Sequence, residues 1–523
     1  MPELSLEQRV DNLFQSALDL TSGNPDLAIV ERELRQSLAR LHQPMRVAIV
    51  GLIKAGKSTM MNALLGEHLV PTGNVEATFN VNVFRWGDRP SLQVHYKDER
   101  PPETKSFDEL QSLTLRAAAN RDYLRSIKYI EVTYPNSILH SFDLIDTPGL
   151  ESHYRDDSDN TRQFLQLHGT ELSEVTQAEA QGADAVMYLF GHSLAMADKE
   201  IIELFQGGEV SQATPINAIG VLTKTDLYWS DPSITEPMVA AERVCQRLAH
   251  HPQARNLFYT IYPVCAHLAL GARTLTDREW DILDRLITIP PDRFERLLRN
   301  INRFNEREYP DIPILPQERR LLAERLGQYG VWQAYNLRRS GSGDRHRLIT
   351  ALLEHSGIDR LRDTLVSHFG HRAYLIKLIR VLRQFKTIYF QSRPKLAGKS
   401  LQVLEEIAGR FEEIETQEHR LIELNILQNF YRRKLDFDER ETRDLLAVTG
   451  EFGTDCGSKL DLGERATIPE MLAVANEKLH YWQTRSADYL TIDRDTLTAA
   501  KTMARSYELI FQRLQLAKNY LYL

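Results

Sequence analysis

The sequence has little cysteine and lacks long apolar runs. Its three cysteines, Cys245, Cys265 and Cys456, are too few and too scattered for a disulfide framework or a zinc site. No stretch approaches the roughly 18 consecutive apolar residues of a membrane-spanning helix. The N-terminus also lacks the basic and apolar regions of a signal peptide. These absences predict a cytoplasmic protein.

The chain also lacks an excess of positive charge. Its formal net charge of −8 gives no global attraction to nucleic acid, so no nucleic-acid partner is expected. With 523 residues, 42% hydrophobic and 26% charged, the chain can bury large cores and should form two or three domains.

Residues 51–58 match the phosphate-loop pattern G-x-x-x-x-G-K-[ST]. They follow a strand-like run at 45–50 and precede a helical stretch at 59–65. The glycines let backbone N–H groups turn toward phosphate oxygens, and the helix adds its positive N-terminal end. Lys57 would reach the outer phosphates, and the Ser58 hydroxyl would bind Mg²⁺. The predicted nucleotide contacts in this loop are Gly51, Ala55, Gly56, Lys57, Ser58 and Thr59.

A guanine motif, [NT]-K-x-D, follows another apolar strand at 216–222. Its predicted nucleotide contacts are Thr223, Lys224 and Asp226. The Asp226 carboxylate can accept hydrogen bonds from the ring N–H and exocyclic amine of guanine, and adenine lacks both donors. Taken alone, the same residues fit a polar turn with a capping Asp.

Asp146 and Gly149 form a D-x-x-G element between these two motifs, again at a strand end. Asp146 can hold Mg²⁺ through water, and the Gly149 N–H can sense the terminal phosphate. After the strand at 259–264, backbone N–H groups of Cys265 and Ala266 would lie near the guanine carbonyl. The order of these elements predicts an α/β P-loop GTPase domain, with a mostly parallel sheet flanked by helices, that binds GTP or GDP with Mg²⁺.

Residues 54–66 and the run Asp-Thr-Pro-Gly-Leu at 146–150 resemble the bacterial dynamin-like GTPases. Segments 320–330 and 356–377 resemble the end of that family's GTPase domain. Thr78, which follows a Pro-x-Gly run at 71–73, resembles the dynamin switch threonine that binds Mg²⁺ and closes over the γ-phosphate. The resemblance implies pairing of GTPase domains with a second copy or a homologous partner, assembly-stimulated hydrolysis and movement of a helical stalk.

Two residues depart from related patterns. Leu150 replaces the glutamine that orients the attacking water in Ras-like enzymes, so water must be placed another way. Lys54 replaces a serine that helps organise a monovalent cation in eukaryotic dynamins. It could supply positive charge to the transition state, reach a second GTPase domain, or be a solvated loop lysine. The predicted catalytic residues are Lys54, Lys57, Thr78 and Gly149.

Three parts of the chain are predicted. These are N-terminal helices at 1–43, a GTPase domain at 44–370 with a helical insertion at about 271–343, and a C-terminal helical bundle at 371–523. Apolar residues at helical spacing predict that the two terminal parts form one bundle. Pro394 should kink or break a helix in it.

Residues 372–395 contain seven basic residues and no acidic ones, interleaved with apolar side chains. This pattern fits peripheral contact with the cytoplasmic face of a membrane, or a helix whose apolar side packs in the bundle. The polar stretch at 436–464 predicts a loop.

Two main functions follow from the sequence. The first is a dynamin-like GTPase, and the alternative is a GTP-gated scaffold with negligible turnover that recruits a protein partner. A ribosome-assembly GTPase is a third option, but apart from residues 372–395 no basic appendage supports it.

Overall fold

A computed structural model describes residues 5–51, 54–71, 80–98, 100–114, 121–147, 183–191, 214–230, 234, 236–341, 344–463, 465–488 and 492–521. The chain divides into two compact units. The sheet unit comprises residues 46–365, and the helical unit comprises residues 1–45 and 366–523.

The described strands are numbered in chain order. They are β1 (Met45–Gly51), β2 (Asn82–Trp86), β3 (Ser91–Tyr96), β4 (Glu103–Lys105), β5 (Ile127–Tyr134), β6 (Phe142–Asp146), β7 (Ala185–Gly191), β8 (Ala218–Thr223) and β9 (Ile261–Pro263). The described α-helices are α1 (Leu6–Thr21), α2 (Ala28–His42), α3 (Lys57–Leu65), α4 (Leu110–Thr114), α5 (Arg121–Ser126), α6 (Pro237–Ala249), α7 (Pro252–Leu257), α8 (Ala266–Arg273), α9 (Asp277–Leu286), α10 (Pro291–Leu298), α11 (Ile301–Glu306), α12 (Pro316–Arg339), α13 (Arg345–Ser356), α14 (Ile358–Thr364), α15 (Ala373–Ser392), α16 (Gly398–Gln417), α17 (His419–Tyr431), α18 (Glu439–Val448), α19 (Cys456–Lys459), α20 (Ile468–Ala487) and α21 (Arg494–Leu521).

The sheet has the strand order β4-β3-β5-β2-β6-β1-β7-β8-β9. Strands β1, β7, β8 and β9 pair in parallel, whereas β2 pairs antiparallel with β6, and β3 with both of its neighbours. Strands β1, β7 and β8 are buried along nearly their whole length. Their almost continuous apolar sequences fit this position, because central parallel strands are covered on both faces. The ends of β1 and β8 carry the phosphate loop and the guanine motif.

Helix α12 contains an interruption at Gly327, where the backbone leaves the helical region with φ 70° and ψ 167°. Helix α12 packs against α8, which begins directly after the predicted base loop. At Gly271 in α8, an added Cβ would lie 2.1 Å from the Arg325 carbonyl oxygen, so only glycine permits this close packing. Part of the predicted insertion at 271–343 therefore reaches the elements that follow the guanine motif.

In the helical unit, N-terminal helices pack against C-terminal ones. Phe14 of α1 contacts Phe411 of α16 with ring centroids 4.9 Å apart, and Phe385 of α15 stacks on the same ring at 4.4 Å. Arg9 forms an ion pair with Glu418. The predicted break before Pro394 is present, because α15 ends at Ser392 and a short 3₁₀ turn follows.

Most of the apolar stripe in the basic segment 372–395 is covered within the helical unit. Leu375, Leu378, Val381 and Leu382 are buried. Lys377 is buried too, and its Nζ donates to the carbonyls of Leu41 and Gln43 at 2.6 Å each. The packed-helix interpretation therefore accounts for most of α15. Phe390, near its end, is 67% exposed.

The loop prediction for residues 436–464 was wrong in part, because this stretch contains α18 and α19. The Asp438 side chain caps α18 in a capping box with Glu441. Asp444 is buried and accepts hydrogen bonds from Trp482 Nε1 at 3.0 Å and Lys478 Nζ at 2.5 Å. Partnered carboxylates can therefore occupy the inner face of a helix whose sequence looks too polar to pack.

Within the described residues, no helix is both long enough and apolar enough to cross a membrane.

Candidate nucleotide site

The phosphate loop has the backbone conformation of an anion-binding turn. Gly56 caps the N-terminus of α3 with φ 91°, and Lys54 also has a positive φ of 65°. Left-handed residues alternating with ordinary ones turn successive N–H groups toward one side, which forms a concave anion site. At Gly51 an added Cβ would lie 2.5 Å from the Leu189 carbonyl oxygen, so close packing of β1 on β7 requires glycine.

Lys57 is buried at the base of this loop. Its Nζ donates to the Gly51 carbonyl at 3.1 Å. Burial lowers the pKa of Lys57 to about 8, although the nearby Asp146 charge acts in the opposite direction. A buried ammonium gains stability from an added negative charge, so this position suits a phosphate group. Ser58 and Thr59 follow Lys57 in the first turn of α3.

Asp146 ends β6 and is fully buried. Neither carboxylate oxygen has a hydrogen bond of normal geometry within the described part of the chain. Burial raises the pKa of Asp146 to about 6, against the opposing effects of Lys57 and the Asn82 amide. Such a carboxylate fits Mg²⁺, which is usually held by one or two protein oxygens together with substrate phosphates.

Asn82 is a site residue that the sequence did not reveal. Its backbone pairs with Asp146 in the antiparallel register of β2 and β6. The Thr114 hydroxyl donates to Asn82 Oδ1 at 3.2 Å, which orients the amide, and Nδ2 lacks a partner of normal geometry among the described residues. No sequence pattern singles out this asparagine, because its proximity to Asp146 depends on strand pairing.

Thr223 connects the guanine motif to the phosphate loop. Its hydroxyl donates to the Ala55 carbonyl at 2.8 Å and lies 3.1 Å from the Phe190 carbonyl. Lys224 follows with a left-handed φ of 56°, and Asp226 lies in the 3₁₀ turn Thr225–Ser230. The fold thus brings two of the predicted motifs into direct contact.

Cys265 lies behind the guanine motif and is buried. Burial raises the pKa of its thiol well above the ordinary value, and the charge of Asp226 adds to the shift. Its backbone N–H donates to the Ser356 carbonyl at 2.8 Å. The Cys265 N–H is therefore occupied within the protein, and the predicted role of the Ala266 N–H at the start of α8 stays a prediction.

Two predicted site residues, Thr78 and Gly149, lie outside the described residues. Their proposed roles stay predictions. Leu150 lies outside them as well.

A sequence model of the dynamin family matches residues 47–225. The isoniazid-induced protein IniC of Mycobacterium tuberculosis is 28% identical over 512 residues, which is 97% of this chain and 98% of that protein. Dynamin-like protein 2 of Campylobacter jejuni is 28% identical over 140 residues, covering 27% of this chain and 22% of its own length. The bacterial dynamin-like protein of Nostoc punctiforme is 28% identical over 142 residues, covering 25% of this chain and 20% of its own length.

The sheet, phosphate loop and strand-end motifs define a P-loop protein of the GTPase fold class, and the predicted helical bundle forms a unit of its own. The match of the dynamin family model and the full-length similarity to IniC support the resemblance to bacterial dynamin-like GTPases that the motifs predicted. The dynamin superfamily is a family of GTPases.

Proposed function

We propose that the chain hydrolyses GTP in a Mg²⁺-dependent reaction, with residues 44–370 as the hydrolysing domain. The observation that carries the proposal is the buried Lys57–Asp146 pair beside a left-handed phosphate loop. A phosphate would compensate the cation, and a hydrated Mg²⁺ would compensate the carboxylate. Both buried groups would then gain charge-compensating contacts from the bound nucleotide and metal.

At the phosphate end, backbone N–H groups of residues 54–58 would donate to phosphate oxygens. Lys57 would neutralise the outer phosphates, while Ser58, Thr78 and Asp146 would hold Mg²⁺ directly or through water. Bound Mg²⁺ supplies positive charge that offsets the charge developing on the transferred phosphoryl group. The Gly149 N–H would contact the terminal phosphate.

At the base end, Asp226 would accept hydrogen bonds from the two guanine donors. Thr223 supports this geometry because its hydroxyl holds the phosphate loop to the guanine motif. The Ala266 N–H would face the guanine carbonyl. A site built to hydrogen-bond a donor rejects analogues that lack it by large factors, so ATP should bind poorly.

Lys54 would place a positive charge on the outer side of the loop, toward the transition state or toward a second nucleotide-bound domain. Pairing with a second copy or a homologous partner would make hydrolysis depend on assembly. The terminal helices, residues 1–43 and 371–523, would then move as the switches close.

Peripheral membrane contact is a further part of the proposal. It is supported by the turn between α15 and α16, where the exposed Phe390 precedes the exposed basic residues Arg393, Lys395 and Lys399. Exposed aromatic and basic side chains together favour an anionic lipid surface. The protein would then act in the cytoplasm, at the inner face of the membrane.

The test measures GTP hydrolysis against protein concentration, with and without anionic liposomes. Specific activity that rises with concentration supports an assembling enzyme. Loss of liposome binding in Phe390→Ser supports the membrane contact. A flat, near-zero rate despite tight GTP binding would favour the alternative, a GTP-gated scaffold.

Two variants of Lys54 refine this test. Lys54→Gly removes the charge and tolerates the left-handed backbone, whereas Lys54→Arg retains the charge. We expect Lys54→Gly to lose turnover while keeping GTP affinity, and Lys54→Arg to retain part of the turnover. Turnover in Lys54→Gly equal to that of the parent would exclude Lys54 from the catalytic machinery.

A further inference from the structure

The interruption in α12 lies against the guanine motif, although residue 327 is outside the segment matched by the dynamin model. A Cβ added at Gly327 would lie 3.3 Å from His267 Nδ1 and 4.0 Å from Asp226 Oδ2. The first distance is tighter than ordinary van der Waals contact, and the second is at its limit. The backbone of α12 thus passes directly beside the carboxylate proposed to read the base.

The helix is fixed to these elements on both sides of the interruption. On the N-terminal side, the Glu324 carbonyl lies 2.9 Å from His267 Nε2. A carbonyl can only accept, so Nε2 carries the hydrogen, and Nδ1 is the atom that faces Gly327. On the C-terminal side, Trp332 packs on the buried Trp229 with ring centroids 4.6 Å apart.

Trp229 is three residues after Asp226 and lies in the same 3₁₀ turn. The turn that carries Asp226 is therefore anchored to α12 after the interruption, and the start of α8, which carries His267, is anchored before it. A movement of the interruption would shift both base-facing elements together.

We infer that Gly327 is a specificity-determining position for the nucleobase, because the absence of a side chain there lets α12 hold Asp226 and His267 around guanine. This inference rests on the proposed guanine recognition by Asp226. It adds that a helix far along the chain completes the base end of the site. A methyl group at 327 would press on the His267 ring. Relief of this contact would move α12 together with the turn that carries Asp226, so that one of the carboxylate's two hydrogen bonds to guanine is lost.

The test compares GDP with IDP by titration calorimetry. IDP keeps the ring N–H and the phosphates but lacks the exocyclic amine, so the ratio of the two affinities reports the base end alone. In Gly327→Ala we expect GDP affinity to fall roughly tenfold and the GDP preference over IDP to shrink several-fold. An unchanged preference in the folded variant would overturn the inference.

Gly23→Ala is the matched control. Gly23 has φ 72°, almost the same as Gly327, and no heavy atom of the described residues lies within 4 Å of its Cβ position. This variant places alanine at a similar positive φ without the contacts, and both affinities should remain within about twofold of the parent.

His267→Ala is a second variant that tests the inference if Gly327→Ala fails to fold. It removes the ring held by Glu324 but keeps the backbone N–H, and it should also reduce the GDP preference over IDP. An unchanged preference would overturn the inference. Parent protein that binds ADP as tightly as GDP would instead overturn the proposed guanine recognition itself, so the two failures are distinguishable.

Discussion

The Thr223 hydroxyl donates to the backbone carbonyl of Ala55 at 2.8 Å, across 168 residues of sequence. One buried hydrogen bond thus joins the loop proposed to hold phosphate to the motif proposed to read guanine. Because the donor is the first residue of the guanine motif, its identity affects the position of the phosphate loop as well as that of the base.

We predict that Thr223→Val weakens GDP binding about tenfold and lowers the free energy of unfolding by roughly 1–3 kcal/mol. Valine keeps the shape but leaves the buried Ala55 carbonyl without this donor. Calorimetric titration and thermal denaturation measure the two effects. Thr21→Val is the control, since Thr21 is also buried but its hydroxyl donates to the Ala17 carbonyl within α1 at 3.0 Å. Equal GDP affinities in the two variants would contradict the prediction.

Asn82→Ala should raise the Mg²⁺ concentration needed for tight GDP binding roughly tenfold, because groups that orient metal ligands typically have effects of this size. The measurement is GDP affinity across a Mg²⁺ titration. With the metal chelated, variant and parent should bind GDP alike. Asn80→Ala is the matched control, because Asn80 is also buried but its amide donates to the Leu113 carbonyl at 3.0 Å. A Mg²⁺ requirement unchanged by Asn82→Ala would exclude this role.

Glu451→Gln should destabilise the helical unit by roughly 3 kcal/mol near neutral pH, because it leaves the buried Arg372 without its carboxylate at 2.7 Å. Burial alone would raise the pKa of Glu451, but the His368 hydrogen bond and the Arg372 charge lower it to about 2. A depressed carboxyl pKa stabilises the fold above the unfolded value of 4.5, and this stability is lost as pH falls toward 2.

The difference between Glu451→Gln and the parent should therefore be constant above about pH 5 and shrink below about pH 4. Urea denaturation followed by circular dichroism across this range provides the measurement. Glu415→Gln is the control, because it disrupts the more exposed ion pair with Lys386 at 2.5 Å. It should lower the free energy of unfolding by less than about 1 kcal/mol. A difference for Glu451→Gln that grows on acidification would refute the assigned ion pair.

Asp444→Ala should lower the free energy of unfolding by roughly 3–5 kcal/mol. The substitution leaves the buried Trp482 N–H and the Lys478 ammonium, between α18 and α20, without the carboxylate that accepts from them. Thermal denaturation measures the loss. Glu477→Ala is the control, since Glu477 is exposed and pairs with Arg440 at the surface. Its cost should stay below about 1 kcal/mol. Similar costs for the two variants would mean that α18 does not pack as described.

The sequence predicted the parts of the site that are formed by residues close together in the chain. The phosphate loop and the guanine motif each need particular residues at fixed spacing directly after a strand. Each can therefore be recognised within eight residues of sequence. Asn82 was missed because only antiparallel pairing brings it to Asp146. The hydrogen bond from the Cys265 N–H to the Ser356 carbonyl could not be predicted either, since the two residues are 91 positions apart.

Helix α18 illustrates a different limit. Its polar sequence suggested a loop, yet Asp438 followed three residues later by Glu441 is a readable capping box. The charged residues that made packing seem unfavourable, Glu441 and Asp444, accept hydrogen bonds from side chains of α20. At Gly327, a glycine inside a helical pattern could have signalled an interruption, but no local rule gives its proximity to Asp226.

The pairing of terminal helices has a consequence for synthesis on the ribosome. Ser16 in α1 and Arg410 in α16 are joined by a hydrogen bond of 2.7 Å across 394 residues. At about 5–20 residues per second, the apolar side of α1 must wait roughly 20 to 80 s before α16 has been translated. Throughout that interval Phe14 lacks the Phe411 ring that it contacts in the folded helical unit. A chaperone that shields the first forty residues should therefore increase the yield of folded protein more than one that acts after release.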